Sequence, residues 1–243
     1  MNLLLAAVLL MQDKTAEETL GKIEEAVDKA RTVRVTYRTE AECVRSGAEK
    51  STWTNEGNIL VKGASRINAS SNYKLIEGKR SEAYESQLIS DGTNLLLHFP
   101  PSKKRVIDLQ FFSIPQFQGS LVRAGVSNSM FLAGTFGDLL CVGGGGPKPK
   151  DFFELSKLKE GPKRERGKTL EYTLKYENER FPSHPTKELL VILEYDPVTW
   201  KLLSRKTKIQ FEGGETTIRE TYTDFILNAD IPDEKFKLPE EKK

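Results

Sequence analysis

The hydrophobic period of this chain changes once, and that change limits what it can fold into. Up to Arg31 the apolar positions Ala16, Leu20, Ile23, Val27 and Ala30 recur at steps of three and four, the stripe of an amphipathic helix of about four turns. From Val33 the step is two: Val33, Val35 and Tyr37 alternate with Arg34, Thr36 and Arg38, as in a strand with one buried face. Strand-like runs return at 53–61, 87–89, 95–99, 172–176, 189–195, 203–211 and 216–222. Asn55-Glu56-Gly57, Asp91-Gly92, Pro100-Pro101, Asp196-Pro197 and Gly213-Gly214 read as turns between them. One helix followed by strands in series predicts a mainly β (α+β) fold, an antiparallel meander that curls around the helix.

The helix is expected to begin at Thr15, because Thr15-Ala-Glu-Glu18 is a capping box. Glu17 and Glu18 then suit its positive end, and Lys29 and Arg31 its negative end. The apolar run from Leu3 to Met11 is too short to cross a bilayer, which takes about 20 helical residues. It reads as the core of an export segment over 1–12, without a preceding Lys or Arg and without a small-x-small cleavage site. No Cys follows it closely, so a lipid-anchored form is not expected. Residues 13–239 then form a single domain and 240–243 a charged tail.

Hydrophobic residues make up 37% of the 243 and charged ones 30%, a composition that fits one soluble domain. Thirty-seven Lys and Arg face 35 Asp and Glu, interspersed along the chain, which argues against a nucleic-acid partner. Cys43 and Cys141 have no partner spacing for a metal and are expected to be two separate buried thiols, with a disulfide between them in an oxidising compartment as the alternative. His98 and His184 stand near no nucleophile elbow, and the four glycines 143–146 lack the Gly-Lys-Ser/Thr ending of a phosphate cradle. The expectation is a non-enzyme with no cofactor. Asn68-Ala-Ser70 fits a glycosylation acceptor. The basic stretch KEGPKRERGK, 159–168, reads first as a solvated hairpin turn and second as a contact for anionic lipid heads or a membrane surface.

Between 111 and 136 the alternation stops, and the apolar residues cluster as a short helical lid would require. Five segments in order then resemble the superfamily of the periplasmic lipoprotein carrier LolA, whose relatives include RseB and mycobacterial lipid-binding lipoproteins. They are the export segment, the helix running into VRVTYRTEAE, the strand pair EGNILVKGASRINAS, the hairpin ISDGTNLLLHFPPSKKRV and the ending YTDFILNADIPDEKFKLP. Where the carriers have Arg-Pro after the strand ending in Lys62, an arginine that latches the lid, this chain has Gly63-Ala64, and the nearest arginine is Arg66.

The resemblance implies an incomplete antiparallel β-barrel wrapped around the N-terminal helix and closed by the lid. It implies a non-catalytic periplasmic or otherwise exported carrier or sensor for the acyl chains of a lipid or lipoprotein, a monomer whose further partners are an envelope protein or a membrane surface. The lining expected for such a cleft is Leu95, Leu97 and Phe99 from the hairpin with Phe111, Phe112, Ile114, Phe117, Leu121 and Val122 from the lid. The same residues also read as ordinary core, in which case the chain is an envelope interaction domain with a self-filled cleft.

Overall fold

A computed structural model describes residues 2–63, 65–98, 105–108, 153–176, 186–211 and 213–239. Among the described residues one α-helix, α1 (Asn2–Asp28), precedes eleven strands: β1 (Thr32–Arg45), β2 (Ser51–Lys62), β3 (Arg66–Glu77), β4 (Arg80–Asp91), β5 (Asn94–His98), β6 (Arg105–Asp108), β7 (Phe153–Glu160), β8 (Lys168–Tyr176), β9 (Thr186–Tyr195), β10 (Leu202–Phe211) and β11 (Gly214–Leu227). They form one antiparallel sheet in the order β6-β5-β4-β3-β2-β1-β11-β10-β9-β8-β7. Among the described strands only the β1–β11 pairing joins elements distant in sequence, and every other neighbour follows directly in strand order. The two edges, β6 and β7, do not meet in that order. The expected incomplete barrel around an N-terminal helix is what the described residues form.

Alternation sets the two faces. In β1 the odd positions Val33, Val35, Tyr37, Ala41 and Cys43 are buried, and Arg34, Arg38 and Glu40 are exposed. Ala16, Ile23 and Val27 of α1 join that inner face in one core with Ile59, Val61, Ile67, Leu88, Leu170, Leu193, Tyr195, Leu202 and Phe225. The helix is held at one end of the sheet. Thr19 Oγ1 donates to Glu160 at the end of β7, and Lys22 Nζ sits 5.2 Å over the ring of Trp200 in the β9–β10 turn. Trp200 in turn stacks on Tyr195 at 5.9 Å.

Two expectations are corrected. The helix is continuous from Asn2, so Thr15 is not its N-cap. Leu, Ala and Met favour helix, and no Gly or Pro separates the apolar run from Gln12-Asp13-Lys14, so nothing stops the helix from extending backwards. Asn55-Glu56-Gly57 is the middle of β2, not a turn. There Gly57 faces Tyr37 across β1 and Ser71 across β3. A Cβ on Gly57 would lie 2.2 Å from the Ser70 carbonyl oxygen and 2.8 Å from Tyr37 Oη. The glycine is there for close approach of its neighbours, a role that imitates a turn signal in sequence. The lid residues Phe111, Phe112, Ile114, Phe117, Leu121 and Val122 lie outside the described residues, as do Phe99, His184, Cys141 and the loop 143–146.

Two of the motifs behind the resemblance have structural roles. In Ser90-Asp91-Gly92 the fully buried Ser90 donates its hydroxyl to the Ser65 carbonyl at 2.7 Å, tying the end of β4 to the β2–β3 turn. Asp91 Oδ1 accepts from the amides of Thr93 and Asn94, both at 2.7 Å, and Gly92 takes the positive φ of 97° that the turn needs. The C-terminal segment crosses the outer face, where one 3₁₀ turn, Asp233–Phe236, contacts β3 and β4. Phe236 and Ile231 are buried there, apart from the main core, as are Ile89 and Leu96. Lys62 and Arg66 both hold Asp233 Oδ1, at 2.6 and 2.9 Å, and Asn68 Nδ2 donates to the Lys235 carbonyl at 2.5 Å. Arg66 therefore latches the tail.

The Lys62 hydrogen bond and the two cations beside Asp233 hold its carboxyl below the usual aspartate range. A depressed carboxylate favours the folded state above its unfolded pKa, near 3.9, and that contribution disappears as pH falls through the lower folded value. Amide exchange in 229–239 is accordingly expected to stay slow at mildly acidic pH and to quicken only below the normal aspartate range. Asp233→Asn should remove that step, and an unchanged profile in the variant would exclude the latch.

Candidate functional site

The inner face is layered along the strands. Nearest the helix lie the apolar residues of the main core. Next comes a polar row formed by strand register: Arg205 on β10 pairs with Glu220 on β11, Glu220 with Thr39 on β1, Thr39 with Asn55 on β2, Asn55 with Tyr73 on β3, and Tyr73 with Tyr84 on β4. Arg205, Glu220, Thr39 and Asn55 are all buried. Beyond this row two further ladders follow on the same face, Val191, Thr207, Ile218, Ala41 and Trp53 in one and Leu189, Ile209, Thr216 and Cys43 in the next. Their aliphatic residues Val191, Ile218, Ala41, Leu189 and Ile209 belong to the same main core, with the buried Thr207 and Thr216 set among them.

The polar row is knit to its neighbours. Tyr37 extends over Gly57, and its Oη accepts from Asn55 Nδ2 at 3.3 Å. Burial pushes the Tyr37 phenol well above its usual range, opposed by the hydrogen bond to Ser71 and assisted by the charge of Glu220. The phenol is neutral at physiological pH and serves as a hydrogen-bonding group. Tyr222 Oη donates to Glu220 Oε2 at 2.9 Å, and Tyr73 and Tyr84 stack at 6.3 Å. Asn55 is 4% exposed, yet its Oδ1 has no hydrogen-bond partner among the described residues. A buried acceptor left open costs about 1–3 kcal/mol, so this position favours a donor brought from outside the described framework.

Of the lining expected from sequence, Leu95 is 3% exposed and packs in the main core, pairing across β5 with Ser90. Leu97 lies two residues on in β5, opposite Leu88 and Arg105. Tyr37, Asn55, Thr39, Arg205 and Glu220 were not among the expected site residues. Their signal was available in part, since each is a polar or amphipathic residue at a position where alternation places a side chain inward. Which of them meet depends on register across β10, β11, β1 and β2.

The outer face carries a concavity of about 700 Å³. One wall is the ladder Thr36, Asn58, Ser70, Gln87 and His98, and the other is Arg38, Glu56, Asn72 and Glu85. Thr36 Oγ1 donates to Asn58 Oδ1 at 2.8 Å, and Arg38 bridges Glu56 at 2.9 Å. The side chains named on both walls are polar or charged. Among the described residues no three His, Cys, Asp or Glu side chains gather as a metal site. Cys43 is a free buried thiol, and no described helix is long and apolar enough to cross a membrane.

No family model and no curated protein matches the sequence. Solved structures resemble it in layout. LprF from Mycobacterium bovis is 9% identical, with 90% of this chain and 95% of that one covered and a TM-score of 0.44. A putative outer membrane lipoprotein-sorting protein domain from Vibrio parahaemolyticus is 12% identical, covering 91% and 97%, at 0.37. A LolA superfamily protein from Nitrosomonas europaea is also 12% identical, covering 90% and 97%, at 0.29.

Proposed function

We propose that the protein is a non-catalytic carrier or sensor in the cell envelope that holds the acyl chains of a lipid or lipoprotein against the inner face of its half-barrel. The reading is carried by the layering of that face on a sheet whose edges do not pair. A mainly apolar ladder, Val191, Thr207, Ile218, Ala41 and Trp53, lies beside a buried polar row in which Asn55 Oδ1 has an acceptor to spare. A molecule with hydrocarbon at one end and a hydroxyl or amide donor at the other suits both layers. Leu95 and Leu97 belong to the floor in this reading, and Phe99, Phe111, Phe112, Ile114, Phe117, Leu121 and Val122 to the cover.

Native mass spectrometry of protein purified from membrane-containing cells is expected to find a co-purifying amphiphile, and Asn55→Leu to reduce its occupancy by about tenfold. A protein that is empty in every preparation, and that takes up no fluorescent fatty acid afterwards, would sink the carrier reading. It would leave an envelope interaction domain whose cleft is filled by its own side chains.

A further inference from the structure

We infer that the tips of the β7–β8 and β9–β10 turns form a docking edge for an anionic lipid surface. The β7–β8 turn and the first residue of β8 carry Lys163, Arg164, Arg166 and Lys168 against the single acid Glu165, a net of +3 over six residues, and all five side chains are exposed. None of the four cations makes an ion pair with a described residue, whereas Lys159, just before the turn, is paired with Glu171 at 2.8 Å. Two acids on the flanking elements accept hydrogen bonds from other groups. Glu160 accepts from Thr19. Asp196 accepts from the Val198 amide at 2.8 Å and from Thr199 Oγ1 at 2.7 Å.

The turn is a built feature rather than a loose loop. Arg164 N donates to the Gly167 carbonyl at 2.8 Å, and Thr169 Oγ1 to the Pro162 carbonyl at 2.8 Å. The neighbouring tip is brought alongside because Lys168 pairs with Tyr195 across β8 and β9. That tip presents Val198, which is 83% exposed and the most exposed large hydrophobic residue of the described framework. Unpaired cations beside a protruding aliphatic side chain match an interface of anionic headgroups over hydrocarbon. An acidic protein would use the cations and leave Val198 in water. The inference rests on charge and exposure, and holds whether or not the inner face carries a lipid.

The test is co-sedimentation of the full chain with vesicles. Binding is expected to vesicles containing phosphatidylglycerol, to be negligible with phosphatidylcholine alone, and to be released by high salt. The triple variant K163E/R164E/R166E should lower the partition coefficient about a hundredfold, and Val198→Asp should lower it several-fold, with far-UV spectra and melting unchanged because these side chains are exposed. Failure to sediment with anionic vesicles, or sedimentation that the triple reversal leaves unaltered, overturns the inference and gives the tip to an acidic protein. A protein that is empty in every preparation yet binds anionic vesicles would count against the carrier reading alone.

Discussion

Gly57→Val is expected to destabilise the protein by roughly 3 kcal/mol or more, because the added side chain has nowhere to go in the middle of β2. Its Cβ would stand 2.2 Å from the Ser70 carbonyl oxygen, and that atom is fixed by the β2–β3 ladder. Tyr37 Oη, at 2.8 Å, is the softer of the two contacts. Removing it should therefore rescue little, and the double variant Tyr37→Phe/Gly57→Val should melt close to Gly57→Val alone. Gly21→Ala is the control, since it lies in α1 with nothing within 4 Å of the added carbon and should be neutral or stabilising by up to about 1 kcal/mol. Denaturant titrations of the four proteins decide the matter, and a Gly57→Val protein that unfolds with the parent would show that β2 and β3 do not approach as described.

Phe236→Ala should cost about 3–5 kcal/mol, the range for a buried phenylalanine whose neighbours cannot collapse into its place. Phe236 is 1% exposed in a segment with little secondary structure, and it is the largest apolar anchor of the C-terminal crossing. The polar ties around it, Lys62 and Arg66 to Asp233 and Asn68 to the Lys235 carbonyl, are exposed and set position more than stability. The variant is thus expected to lose global stability, whereas Asp233→Asn alters mainly the acid profile of the tail. A loss below about 1 kcal/mol for Phe236→Ala would mean that the tail is not part of the cooperative fold.

The mainly β architecture and the faces of the long strands follow from local sequence. Alternation is a property of consecutive residues, so Val33, Val35, Tyr37 and Leu193 could be assigned inward without knowing their partners. The hairpin turns at Asp91-Gly92, Asp196-Pro197 and Gly213-Gly214 were legible for the same reason, because their chemistry is local. The helix start at Thr15 and the turn at Gly57 were misread where a local signal has two physical meanings. A capping box does not stop a helix that good helix formers can extend backwards, and a glycine serves close packing as well as a turn.

The polar row and the tail latch were decided only by the tertiary structure. Arg205, Glu220, Thr39 and Asn55 become neighbours because β11 returns to pair with β1, and Arg66 reaches Asp233 across 167 positions of chain. Strand register between distant segments is set by which faces the whole sheet can bury at once, and no window of sequence contains that condition.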